Sequence, residues 1–227
     1  MPAIASESIA IPIQGRQQIY ADLQVPDRAT GLVIFAHGSG SSRFSSRNRA
    51  VANTLQQRGL GTVLLDLLTH EEEKVDVRTT EYRFDIPRLG SRVVVAIDWI
   101  ENRQDLLPLP IGCFGASTGA AAALIAAAER PGAVRAVVSR GGRPDLAGAA
   151  LPKVTAPTLL IVGGHDEPVI DLNEEAKAQM PAAHVELKIV PGATHLFEER
   201  GTLEEVERLA GDWFVRYLIP LIPPRLS

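Results

Sequence analysis

The chain has 227 residues, 45% hydrophobic and 22% charged, a balance that fits a folded globular protein and excludes wholesale disorder. Its formal net charge is −4, so it has no basic surplus to neutralise a phosphate backbone, and nucleic acid is not an expected partner. A single cysteine, Cys113, excludes an intrachain disulfide and any cysteine-rich metal site.

Strands come first along the chain. Ser6–Ile13 and Gln18–Val25 alternate apolar and polar residues on either side of Gly15, the pattern of an antiparallel pair with one wet face. Leu32–Ala36 is a continuous apolar run of the kind buried on both sides, and the loop His37-Gly38-Ser39-Gly40-Ser41-Ser42 follows it. A helical pattern through Val51 and Leu55 leads to a second buried run, Thr62–Leu68. Helix and strand patterns then alternate: Ile86–Ile100, Ile111–Phe114, Ala120–Ala128, Ala133–Val138, Pro157–Val162, Asp171–Met180, Val185–Val190 and the closing helix Leu203–Leu218. Such alternation predicts a mostly parallel central sheet of about eight strands, the first two antiparallel, with helices on both faces. No repeat or linker divides it, so residues 1–227 are read as one α/β domain. The acidic run Glu71-Glu72-Glu73 with Lys74 reads as a solvated loop.

Two stretches bear on location. Leu107–Ala128 has no charged residue and is long enough to cross a bilayer, but Pro108, Pro110, Gly112, Gly115 and Gly119 break it into strand, turn and buried helix. The amino terminus, MPAIASESIAIPIQ, lacks the basic start and apolar stretch of a secretory signal. The expectation is a cytoplasmic protein with no membrane partner, either monomer or homodimer.

The sharpest local signal is Gly115-Ala116-Ser117-Thr118-Gly119, set between an apolar strand and an alanine-rich helix. A turn straight from strand into helix strains its apex and brings strand and helix close together. Small residues two places either side of the apex relieve the clash, and the apex hydroxyl stands clear of the sheet at the positive end of the helix. A serine needs a base. Of five histidines, His184 opens a strand, His70 lies in the acidic run and His37 ends the third strand, which leaves His165 and His195. His195 lies in a turn-rich loop after the last strand, from which it reaches back over the carboxyl ends of the parallel strands. Asp166, beyond the end of another buried strand, supplies the carboxylate that holds the base's tautomer; Glu167 is its nearest substitute, with Asp66 and Asp171 weaker candidates. His165 adjoins the acid and reads as a loop residue. The developing oxyanion needs donors: the Thr118 N–H comes with the turn, and the Ser39 N–H comes from the glycine-rich loop, where His37 and Gly38 border the substrate. The chain order Ser117, Asp166, His195 is that of α/β-hydrolases and differs from both classical serine-protease orders.

With these residues in place the chain resembles the dienelactone-hydrolase-like members of the α/β-hydrolase superfamily over residues 6–218. The resemblance lies in LVIFAHGSGSSRFSSRNR, LLDLLTHEEE, GCFGASTGAAAAL, VVSRGGRPDLA, LLIVGGHDEPV and PGATHLFEE. It implies an α/β-hydrolase fold with Ser117 as nucleophile, Asp166 as acid, His195 as base, Ser39 and Thr118 as oxyanion donors, and no metal or organic cofactor. Dienelactone hydrolases proper use a cysteine nucleophile. Here the apex is Ser117, and Cys113 lies on the preceding strand, so the implied reaction is cleavage of small carboxylic esters or lactones without dienelactone as a given. Some similar chains are fused to a phosphoribosyltransferase domain, for which these 227 residues are expected to leave no room.

Other readings stand beside this one. The same triad runs acyl transfer to alcohols or to peroxide. A nucleotide-binding domain would use Gly38-x-Gly40 and place Asp66 on a ribose, but its third glycine position is Arg43. An inactive hydrolase fold serving as a binding module is the third. Between Gly141 and Ala156 there is room for a loop and a short helix but not a cap domain, which points to small acyl groups. Finally, 19 of the 23 basic residues are arginine. Arg43, Arg47 and Arg49 crowd the segment after the oxyanion loop, and Arg140 and Arg143 flank Gly141-Gly142. Two roles are open to them: binding an acidic group of the substrate, or bracing loops against Glu71–Glu73, Asp145, Glu198 and Glu199.

Overall fold

Alternating apolar residues set the register of the first two strands in the computed structural model of the chain, which describes residues 4–219. Residues 1–3 and 220–227, the two ends of the expected domain and the start of the amino-terminal stretch considered above, lie outside the described residues. Strand β1 (Ile4–Pro12) runs antiparallel to β2 (Gln18–Pro26), with Ile11 opposite Ile19 and Ile9 opposite Ala21, all four facing the core. Three continuous apolar runs follow as β3 (Leu32–Ala36), β4 (Gly61–Leu65) and β5 (Ile111–Ala116), buried at every position. With β6 (Val134–Arg140), β7 (Thr158–Gly163) and β8 (Val185–Val190) they form one eight-stranded sheet in the order β1-β2-β4-β3-β5-β6-β7-β8. Strand β2 is antiparallel to both neighbours and every later pairing is parallel. The expected sheet is the one observed, and the fold is the α/β-hydrolase fold.

The two faces of the sheet carry separate cores. Along β5, Cys113 points into a cluster with Val93, Ile97 and Leu124, while Phe114 points into a cluster with Val51, Leu55 and Phe214. The first face is covered by α3 (Ile86–Glu101) and the alanine-rich α4 (Thr118–Glu129), the second by α1 (Ser46–Gln57) and α6 (Thr202–Leu218). Helix α5 (Glu167–Ala178) follows β7. The stretch 107–128 is thus strand, turn and helix. Among the described residues no helix is long and apolar enough to cross a membrane. Between β6 and β7 lies only a 3-10 segment, Pro144–Lys153, kinked at Gly148, so no cap domain enters there.

One expectation is overturned. Glu71-Glu72-Glu73-Lys74 is not a solvated loop but the first turn of α2 (His70–Thr79). Thr69 caps it: its hydroxyl accepts the Glu72 N–H, and the Glu72 carboxylate accepts the Thr69 N–H in return. Acidic residues in a first turn also complement the helix dipole. Glu72 is buried and takes ion pairs from Arg88 at 2.6 Å and Arg92 at 2.7 Å, which ties α2 to α3.

At the other end of α2, Asp76 is 1% exposed and accepts the N–H groups of Tyr82 and Arg83 and the Arg83 Nε, at 2.7, 2.9 and 2.7 Å. Burial raises its pKa, but the hydrogen bonds together outweigh burial and hold the carboxyl below its usual range. Because the folded-state value is depressed, this stabilisation is complete above the ordinary carboxylate range and is lost as pH falls through the folded value. We expect Asp76→Ala to cost about 1–3 kcal/mol, since it removes the shared acceptor of the Tyr82 and Arg83 N–H groups and of the partly exposed Arg83 guanidinium. Urea midpoints taken from pH 7 downward should fall less steeply below about pH 4 in Asp76→Asn than in the parent chain.

Candidate active site

The carboxyl ends of β3, β5, β6 and β7 meet at one edge of the sheet, and the candidate residues gather there. Ser117 ends β5 and caps α4 with φ 50° and ψ −122°, a strained conformation for a side-chain-bearing residue. Its glycine neighbours make the turn possible. A methyl group on Gly115 would sit 2.4 Å from the Ala120 Cα, and one on Gly119 would sit 2.2 Å from the Ala36 carbonyl oxygen. The turn is bonded on both sides: Ser117 N–H donates to the Arg140 carbonyl at 3.2 Å, and the Ser117 carbonyl accepts from Ala120 and Arg143 at 3.0 and 3.1 Å.

His195 and Asp166 come together from two other loops. His195 Nδ1 lies 2.6 Å from Asp166 Oδ2, so the ring N–H donates to the carboxylate and Nε2 keeps its lone pair. Asp166 caps α5 by position, yet its side chain makes no capping bond and serves the histidine instead. The two loops are stitched by His165 N–H to Ala193 carbonyl at 2.9 Å and Gly164 N–H to Val190 carbonyl at 2.9 Å. Side chains of His165 and Glu167 point to solvent. Ser117 and His195 are joined through Arg140–Gly141: Arg140 holds the Ser117 N–H, and a methyl group on Gly141 (φ +50°) would meet the His195 carbonyl at 2.8 Å and Cε1 at 3.7 Å. The Ser117 hydroxyl makes no hydrogen bond to His195. Serine–histidine bonds of this kind are often long until substrate is bound.

The loop after β3 rides on the nucleophile turn. A Cβ on Gly38 would be 3.1 Å from the Ser117 Cβ, so only glycine lets the backbone approach this closely. Among the described residues neither the Ser39 N–H nor the Thr118 N–H has an acceptor.

His37, expected at the substrate border, is buried and spent on structure. Its Nδ1–H donates to the Gly38 carbonyl at 2.8 Å, and its Nε2 accepts the Leu67 N–H at 3.1 Å. Burial lowers its pKa, against the pull of that backbone bond and of Asp66, and the ring stays neutral. It fixes the bend of the loop after β3. A cleft of about 620 Å³ borders that loop on the side of Tyr20, Phe44 and Leu68, while Ser117, Asp166 and His195 lie outside it. Cys113 faces the core, and burial pushes its thiol up to about 12, so it is chemically inert.

The arginines divide. Arg43 pairs with Asp66 and with Asp22, and Arg49 pairs with Asp22 at 3.0 Å. Arg43 thereby occupies the aspartate that a nucleotide-binding reading assigns to a ribose. Arg143 closes a two-bond fork on Asp145 at 2.9 and 2.8 Å. These are braces. Arg140 is different: it is the last residue of β6, buried, and among the described residues has no carboxylate partner.

The dienelactone hydrolase family profile matches residues 19–216. The chain belongs to the dienelactone hydrolase family. A crystal structure of dienelactone hydrolase from Anabaena variabilis superposes with a TM-score of 0.92 at 56% identity, covering 95% of this chain and 99% of that one. Carboxyl esterase 2 from the fungus Tuber melanosporum shares the fold at a TM-score of 0.72 and 14% identity, over 95% of this chain and 88% of its own. A Mycobacterium tuberculosis protein provisionally named a phosphoribosyl transferase is 52% identical over 217 residues. That match covers 96% of this chain but 48% of the relative, so the chain spans about half the length of the curated relatives it matches.

Proposed function

We propose that this family member is a serine hydrolase that cleaves small carboxylic esters or lactones through an acyl-enzyme on Ser117. The observation that carries the reading is the 2.6 Å bond from His195 to Asp166 at the sheet edge where Ser117 stands on its strained turn. In the first step His195 Nε2 takes the Ser117 proton as Oγ attacks the substrate carbonyl. The N–H groups of Ser39 and Thr118 receive the negative charge on the carbonyl oxygen, and Asp166 stabilises the imidazolium. His195 then protonates the leaving alkoxide. Water, deprotonated by the same nitrogen, releases the acid and restores Ser117. The 56% identity to a dienelactone hydrolase across nearly the whole chain supports a hydrolase chemistry. The transferase name belongs to proteins of about twice this length, and the stretch they share with this chain is the one the hydrolase family matches.

A panel of 4-nitrophenyl esters and simple lactones, run on the parent chain beside Ser117→Ala, tests the proposal. Turnover of at least one class that disappears in the variant is expected; equal rates in both would overturn it. Chain length provides a second test. With only the 3-10 segment between β6 and β7, that connection supplies no apolar lid to cover a long acyl chain. Acetate and butyrate esters should exceed long-chain esters of the same alcohol in kcat/KM, and the reverse order would contradict this account of the site.

A further inference from the structure

Strand β8 is the last of the sheet, and among the described residues its outer edge is unpaired. Its bonds to β7 use every second residue: the Thr158 N–H donates to the His184 carbonyl and the Gly164 N–H to the Val190 carbonyl, both at 2.9 Å. In an extended strand the N–H and C=O of one residue point to the same side. The register of Thr158 with Val185 and of Leu160 with Leu187 therefore turns the backbone groups of Val185, Leu187 and Ile189 outward. Among the described residues none of them has a backbone partner. A free edge is ordinarily guarded by a proline, a bulge, a covering element or charge. Strand β8 has no proline, and its register with β7 runs unbroken from Val185 to Val190. Lys188 and Ile189 lie on opposite faces and both are exposed, so neither face is covered by a helix there. Lys188 is a guarding charge, but Glu186, its opposite in sign, stands two residues away on the same face.

We propose that β8 is a homodimer interface, where two copies of the chain join antiparallel through this edge about a twofold axis at Leu187. Hydrogen bonding and charge together select that register. Antiparallel partners must both turn their backbone groups outward, so Val185, Leu187 and Ile189 can face only one another. An axis at Glu186 or at Lys188 would set that residue against its own copy, like charge on like charge, which destabilises a strand pair. An axis at either end of the strand would leave part of the edge without a partner. Centred on Leu187, the pairing sets Glu186 of each copy opposite the partner's Lys188. On the other face Val185 meets the partner's Ile189 and Leu187 meets its own copy, apolar against apolar. Every outward N–H and C=O then finds a partner. Glu186 and Lys188 lie 3.3 Å apart within one chain, so the pairing extends an existing ion pair across the axis. Such a contact is isologous and closes at two copies. The two eight-stranded sheets become one, with the carboxyl ends of their parallel strands pointing in opposite directions. The interface stands whether or not the chain is a hydrolase.

Sedimentation equilibrium of the full chain over a range of concentrations should show a monomer–dimer equilibrium. Glu186→Lys and Lys188→Glu each set like charges across the axis, and each should raise the dimer dissociation constant by about tenfold or more. Mixing the two variants tests the register. One chain then carries lysine at both positions and the other glutamate at both, so opposite charges face each other across the axis while the pair within each chain stays broken. Native mass spectrometry of the mixture, with one chain isotopically labelled, should give the heterodimer in excess over either homodimer. A role for the two charges within a single chain would produce no such excess. Leu187→Pro removes only an outward N–H and spares the bonds to β7, so it should be monomeric with an unchanged far-UV circular dichroism spectrum. The charge variants, at partly exposed positions, carry the test if Leu187→Pro does not fold. A monomer at every soluble concentration, or an assembly that grows past two copies, would overturn the proposal. So would a folded Leu187→Pro chain that stays dimeric, or a dimer indifferent to both charge variants with no preferential pairing on mixing.

Discussion

Ser117→Ala and His195→Ala are each expected to lower kcat by about 10⁶, equivalent to about 8 kcal/mol of transition-state stabilisation. The size follows from their acting as one unit: without the base the hydroxyl is not a nucleophile, and without the hydroxyl the base has nothing to activate. The double variant should therefore be no slower than either single one, within a few-fold, and pre-steady-state and steady-state assays on all three would show it. Residual activity over water is expected from the Ser39 and Thr118 donors alone. Alanine keeps the Cβ of Ser117 and the bonds that hold the turn are backbone bonds, so the variant should fold. Additive losses in the double variant would mean that the two residues do not work on the same proton.

The second large effect concerns the acid. Asp166→Asn should reduce kcat by about 10⁴, because an amide facing Nδ1 no longer fixes the tautomer that leaves Nε2 free to accept a proton. Glu167 is adjacent in sequence and chemically equivalent, yet it projects to solvent while Asp166 is bonded to His195. Glu167→Gln should stay within a few-fold of the parent rate. A crippled Glu167→Gln beside a nearly normal Asp166→Asn would move the acid by one residue.

Much of this arrangement was legible before any coordinates, and the reasons are local. Continuous apolar runs such as Leu32–Ala36 and Thr158–Gly163 suit strands covered on both faces, and alternation in Ser6–Ile13 and Gln18–Val25 marks the two strands with one wet face. The glycine pair around Ser117 signals its own turn, since the steric need it meets is confined to five residues. Where charge interrupted the pattern, the reading faltered. Strand β6 was expected to end at Val138 but continues to Arg140, because a charged residue at a strand end looks like a loop and only tertiary packing buries it. The same holds for Glu71–Glu73. The Thr69-x-x-Glu72 spacing of a capping box was present in the sequence, but charge density was read as solvation. Helix α5 begins at Glu167 rather than Asp171 because Pro168 belongs in a first turn, where its missing N–H costs nothing. His37 was the hardest to foresee. A histidine in a glycine-rich loop reads as a border residue, and the Leu67 N–H that claims its ring lies 30 residues away.

The central claim is that an acyl group is transferred to Ser117, and intact-protein mass spectrometry after reaction with a serine-directed fluorophosphonate tests it most directly. The expected result is one adduct per chain, mapped by peptide analysis to Ser117, formed much more slowly in His195→Ala and not at all in Ser117→Ala. An adduct on another residue, or none from a chain that turns over esters, would contradict it.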